Sequence, residues 1–127
     1  GIVLDPDTGV EWYRCAFGQR HTSRGCTGDA LLVTYDEVDS MLAEISTKAG
    51  QQWRLPTESE FLALKEPQCH VPAMNTNVFP NPLIDNFWVQ GERERANKAC
   101  AVYTYNLGRS CRLLGNDPRP FYMVKGG

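Results

Sequence analysis

Val38, Met41, Leu42 and Ile45 recur at helical spacing with polar residues between them, which predicts a helix with one apolar stripe. Thr34 followed by Glu37 forms a capping box, whose hydroxyl and carboxylate satisfy orphan amides of the first turn, and Gly50 supplies the stop. Thr57 and Glu60 repeat the box just after Pro56. Phe61, Leu62 and Leu64 then give a second, shorter helix its apolar surface until Pro67 interrupts it. Elsewhere the pattern shortens to strand length. The turn sequence from Asp5 to Gly9, between Ile2-Val3-Leu4 and Val10-Glu11-Trp12-Tyr13, predicts an N-terminal hairpin. Further strands are expected over Phe87 to Gln90, Ala99 to Tyr105 and Phe121 to Val124, with alternation clearest at Cys100, Val102, Tyr103 and Tyr105. From Glu66 to Asp85 runs a Pro- and Asn-rich stretch with little periodicity, longer than an ordinary connection and of the kind that carries function or is tied down locally. The fold class implied is α+β.

A length of 127 residues, 42% of them hydrophobic, suits one domain over 1–127 with a core of its own. No apolar run approaches the roughly 20 residues that cross a bilayer. The chain begins at Gly1 without a Met, as expected of a processed product or an excised domain. Five cysteines are more than a cytosolic chain of this size usually carries. Cys15 and Cys26 bracket a loop containing Gly18, Ser23 and Gly25, and Cys100 and Cys111 bracket one containing Asn106 and Gly108, so each pair is placed to close a local disulfide. Zinc would prefer two short Cys-x-x-Cys-like pairs or interleaved His ligands, and no such pair exists, so disulfides are expected ahead of a metal. Cys69 is left over as a buried thiol, a bridge to a segment outside this chain, or a competitor for one of the assumed pairings. An exported protein is the simplest account.

Trp53-Arg54-Leu55-Pro56-Thr57 leads into the second helix, and Cys69-His70-Val71-Pro72-Ala73-Met74-Asn75 with Phe79-Pro80-Asn81 leads on to Phe87-Trp88. With the opening run from Thr8 to Gln19 and Cys26-Thr27-Gly28, this order of phrases resembles the C-terminal domain family of the Legionella collagen-like adhesin. Phe121 to Val124 sits where relatives place their closing strand. The resemblance covers nearly the whole chain. It implies a C-type-lectin-like fold, with two helices flanking a small twisted antiparallel sheet and both termini in one sheet. It also implies a secreted or cell-surface bacterial domain. The family's namesake binds sulfated glycosaminoglycans through a trimeric head, so a homotrimer is an expectation here. Where the family commonly has aromatic-Trp-Ser-Ser, this chain has Phe87-Trp88-Val89-Gln90, followed by an unusually charged stretch.

Charge changes the picture at that point. From Gly91 onward seven basic residues face three acidic ones, an excess of four positive charges, whereas residues 1–90 carry a net charge of minus six. Arginine suits sulfate, phosphate and carboxylate, because its planar fork donates two parallel hydrogen bonds. A solvated face with internal pairs to Glu92 or Glu94 is the competing account. Arg93, Arg95, Lys98, Arg109 and Arg112 are the expected polar contacts to a glycan, with Tyr105 or Trp88 as the surface on which a sugar ring stacks. Trp12 and Trp53 lie in regular segments and are assigned to the core.

Asn81-Pro82-Leu83 and Asn116-Asp117-Pro118 reproduce neither of the calcium signatures of lectins with this fold, so calcium-independent binding and no cofactor are expected. Chemistry is not expected either. Sulfatase-modifying enzymes resemble the Arg54-to-Glu58 run, but the loops that build their site have no counterpart in 127 residues. His21 and His70 belong to no Ser-His-Asp order or nucleophile elbow. Phosphate-cradling glycine loops are missing, and overall acidity argues against nucleic acid as a partner. The function implied is an adhesion module recognising a glycan, anionic or sulfated, on a host or target-cell surface. The alternative is a protein-interaction or assembly module at the tip of a fibre or pilus.

Overall fold

Helix α1 spans Tyr35–Ala49, bounded by Thr34 in extended conformation and by Gly50 at φ 67°, a left-handed cap that favours glycine. The computed structural model describes residues 1–64, 79–80, 82–90, 98–113 and 117–126, leaving aside the side chains of residues 98 and 109–113. Glu37 Oε1 accepts from the Thr34 amide at 3.0 Å and from its hydroxyl at 2.9 Å. These bonds hold the Glu37 carboxyl below its ordinary pKa. Val38 and Leu42 of the predicted stripe are buried, with Met41 and Ile45 packed beside them.

Helix α2, Glu58–Leu62, opens on the second capping box. The Thr57 hydroxyl accepts from the Glu60 amide at 3.2 Å, and Glu60 Oε1 accepts from the Thr57 amide at 2.8 Å. The same carboxylate takes a two-pronged pair from Arg54 at 2.8 and 2.7 Å, and Arg54 also donates to the Gly126 carbonyl at 2.9 Å. Pairing with Arg54 is the main reason the Glu60 carboxyl lies below its ordinary pKa. One arginine thus ties the start of α2 to the end of the chain. Pro67, where the sequence places the end of this helix, lies outside the described residues.

The strands are β1 (Ile2–Asp5), β2 (Val10–Tyr13), β3 (Arg20–Thr22), β4 (Gly25–Thr27), β5 (Asn86–Val89), β6 (Lys98–Tyr103), β7 (Gly108–Leu113) and β8 (Val124–Gly126). They form three antiparallel groups, β1-β2-β8, β3-β4 and β5-β6-β7. The N-terminal hairpin is where the sequence places it, and the first and last strands share one sheet. Strand β8 begins later than expected. Phe121 and Met123 instead spend their carbonyls on Phe17 and Tyr13 outside the ladder.

The β5-β6 pair is buried on both faces. Phe87, Val89, Cys100 and Val102 pack with Val10, Trp12, Phe61, Phe79 and Tyr122 on one side. Trp88, Ala99 and Ala101 pack with Val38, Leu42, Trp53 and Phe121 on the other. Phe87 stacks on Tyr122 at 4.5 Å, while Phe61 and Phe79 meet Trp12 edge-on at 5.4 and 5.6 Å. Burial pushes the Tyr122 phenol well above its ordinary pKa. Trp12 and Trp53 are core residues, as the sequence indicates.

Cys15 and Cys26 form a disulfide. The segment between them is not a plain loop, because Arg20–Thr22 and Gly25–Thr27 pair as a hairpin. Cys100 is disulfide-bonded as well. In the β6-β7 ladder the residue opposite it is Cys111, so the predicted second loop is also a hairpin. Cys69 lies outside the described residues.

Candidate functional site

The β6-β7 hairpin turns through residues 104–107, and this turn is built on a buried threonine. Thr104 is fully buried; its hydroxyl lies 2.6 Å from the Leu83 carbonyl and accepts from the Asp85 amide at 3.0 Å. The Thr104 amide donates to the Asp85 carbonyl at 3.0 Å. These bonds lock the chain entering β5 against the hairpin turn. Leu107 closes the turn with its amide on the Tyr103 carbonyl at 2.7 Å and φ of 57°, unusual for a residue other than glycine. Its side chain is buried, so the core holds the backbone there. Asn106 Oδ1 accepts from the Gly108 amide at 2.8 Å, which orients the exposed side chain.

With Thr104 turned inward, its neighbours turn outward. Tyr103 and Tyr105 are 37% and 43% exposed, and their rings stack at 5.7 Å with an interplanar angle of 19°. Asn86 stands opposite Tyr103 in the ladder, and Leu83 and Ile84 are exposed on the adjoining segment. The tip therefore presents two phenol rings, an amide on either side and a short apolar flank.

Trp88 is not part of this surface. It is 6% exposed; its indole N–H donates to the Val33 carbonyl at 2.8 Å, Tyr35 packs edge-on at 5.3 Å, and the Arg119 guanidinium covers the ring at 5.2 Å. The expectation that Trp88 offers a stacking face is corrected by this burial. Reading β5 as a one-sided strand lets either Phe87 or Trp88 face out, whereas a sheet covered on both sides buries both.

Arg93 and Arg95 lie outside the described residues, and Lys98, Arg109 and Arg112 are described only by register. Arg109 stands opposite Val102, a position on the Phe87 face of the sheet, whereas Tyr103 stands opposite Gly108 on the other face. Arg112 stands opposite Ala99, on the tyrosine face but four residues along β6 from Tyr103, roughly 13 Å at the usual strand rise. Lys98 is opposite Leu113, farther still from the turn. The register thus puts Tyr103 on the other face from Arg109 and about 13 Å along the strand from Arg112.

A second concavity lies between α1 and the N-terminal strands. It is an apolar trough of about 420 Å³ lined by Ile2, Tyr13, Phe17, Ile45, Trp53 and Met123, among others. Phe17 and Ile45 continue it toward Leu31 and Met41. No motif announces it, because its walls come from segments distant in sequence. Among the described residues, no three His, Cys, Asp or Glu side chains come together in a group able to hold a metal ion. No helix among them is long and apolar enough to cross a membrane.

Among the described residues, two helices and short antiparallel sheets make up an α+β fold. The family model of the Lcl C-terminal domain matches residues 1–119, and the chain belongs to that family. No curated protein and no solved structure matches it.

Proposed function

We propose that this is a secreted or surface-exposed bacterial binding module that recognises a glycan, anionic or sulfated in part, without calcium and without catalysis. The observation that carries the reading is the exposed Tyr103–Tyr105 pair on a hairpin whose backbone is fixed by Thr104. A sugar ring presents C–H groups on one face that lie against an aromatic plane, and rigid tyrosines bring large contact area at low entropic cost. Family membership supports the reading, since the Lcl domain takes its name from an adhesin. Arg93, Arg95, Lys98, Arg109 and Arg112 make the polar contacts to anionic groups, and Tyr105 supplies the stacking face.

A glycan array with the folded domain tests this. Binding to one or more glycans is expected, with anionic members weakened by the double change Arg93→Ala, Arg95→Ala. An empty array, or anionic binding indifferent to that change, overturns the respective part. The apolar trough beside α1 supports a second reading, a module that docks another polypeptide or a second copy of itself in a fibre or trimer. A dry apolar contact of that kind holds its affinity as ionic strength rises, whereas contacts through guanidinium groups weaken.

A further inference from the structure

We infer that the Tyr103–Tyr105 tip is a self-contained subsite for one uncharged pyranose ring, distinct from the positions that contact anionic groups. This rests on the glycan-binding reading above and specifies what the aromatic part of it takes.

The stacking geometry sets the size of the subsite. The two ring centroids lie 5.7 Å apart, the planes are 19° from parallel, and the residues are 37% and 43% exposed, so each keeps aromatic surface open to a ligand. Two rings with centroids 5.7 Å apart make a contact suited to one sugar ring instead of a run of several. Tyr105, in the turn, is the more exposed of the two and offers the outer face of a single ring-sized contact.

Polar groups around the rings fit hydroxyls. Asn106 is exposed and has its carbonyl oxygen committed to the Gly108 amide, so the donor it can offer a ligand is its NH₂. Asn86, half-buried opposite Tyr103, brings a second amide, and the phenol oxygens add donors and acceptors at the ring edges. Asp85, one residue before Asn86, spends its Oδ1 on the Asn86 amide at 2.7 Å.

The described surroundings of the rings favour an uncharged ligand ring. Arg119 is a described cation on the same sheet face, and its guanidinium is committed over the Trp88 ring. Arg109 occupies a register position on the other face, and Arg112 stands four residues along the strand. The described polar groups beside the rings are the uncharged amides of Asn86 and Asn106, which fit the hydroxyls of a neutral sugar. A glycan carrying both kinds of unit would lay its uncharged ring on the tip and its acidic groups on the basic segment.

The test is saturation-transfer NMR on the intact domain with methyl β-galactopyranoside, methyl β-glucopyranoside and N-acetylglucosamine as probes, beside heparin. At least one neutral probe should receive saturation, strongest on the C–H protons of one ring face. The signal should stay unchanged when sodium chloride is raised about tenfold, fall to background in Tyr105→Ala and persist in Tyr105→Phe. No transfer to any neutral probe, or transfer that survives Tyr105→Ala, overturns the inference. Heparin binding that persists in Tyr105→Ala while neutral probes stay silent would leave the glycan-binding reading standing and the tip without this role. Silence from all probes and an empty array, with capture of a protein partner abolished by Tyr105→Ala, would remove both.

Discussion

Thr104 is fully buried, with a hydroxyl bonded to both the Leu83 carbonyl and the Asp85 amide. Replacing it with valine keeps the shape and removes both bonds, leaving two polar backbone groups without that partner. Thr104→Val should therefore cost about 1–3 kcal/mol in chemical denaturation. Any effect on sugar binding should appear as a weakened signal at the tyrosines even where the protein remains folded. Tyr105 behaves oppositely. Its ring is 43% exposed and touches chiefly Tyr103 among aromatic partners, so Tyr105→Ala should cost no more than about 1.5 kcal/mol while removing the stacking face. Period-two alternation in the sequence puts Tyr105 on one strand with Tyr103. The strand ends at Tyr103, and the pair meets across a turn held by Leu107 in a left-handed conformation. Nothing in the run Tyr103-Thr104-Tyr105 announces that geometry, because it depends on where Leu83 and Asp85 lie.

Both helices are legible in the sequence because capping boxes are local: the groups that begin α1 and α2 lie three residues apart and need no tertiary information. Strands β3 and β7 escape such a reading for the opposite reason. Arg20-His21-Thr22 and Gly108-Arg109-Ser110 carry no apolar alternation, and their pairing is dictated by the hairpins that Cys26 and Cys100 help to anchor. The link from Arg54 through Glu60 to Gly126 joins elements in the same way, across distance. Glu60 has a folded pKa below its ordinary value, so its contribution is complete above about pH 4.5 and is lost as pH falls through the lowered folded value. Melting temperature followed from about pH 6 to about pH 3 should drop on the acid side, and Glu60→Gln should make that limb shallower. A limb of unchanged slope would show that the Arg54 pairing contributes little. The Cys15–Cys26 bridge closes a loop with a sequence separation of 11. Chain-entropy reasoning for a loop of that order gives roughly 3 kcal/mol, so the double change Cys15→Ser, Cys26→Ser should lower the unfolding free energy by about that amount in urea.

At the scale of the whole molecule, charge is segregated along the chain, with plus four from Gly91 onward and minus six before it. Binding of heparin should therefore weaken steeply between about 50 mM and about 500 mM salt, measured by titration calorimetry, while neutral pyranosides on the tyrosine tip stay level. Salt-insensitive heparin binding would argue that the basic residues are engaged internally. The two-sided burial of β5 and β6 belongs to this scale too. Phe87 and Trp88 lie on opposite faces of one strand, and only the packing of α1 on one side and of β2 and α2 on the other makes both of them core.

The β1-β2-β8 sheet bears on mechanics. Ile2 pairs with Tyr13 at one end of β2, while Gly126 pairs with Val10 at the other, so β1 and β8 run parallel to each other on either side of it. Tension between the chain before β1 and the chain after β8 draws them in opposite directions along the central strand. Antiparallel ladder bonds lie across the strands, so such a pull loads them together in shear instead of peeling them one at a time. A load applied in that way would run through β2, flanked by the Arg54 tie to Gly126, and would leave the β5-β6-β7 sheet out of its direct line.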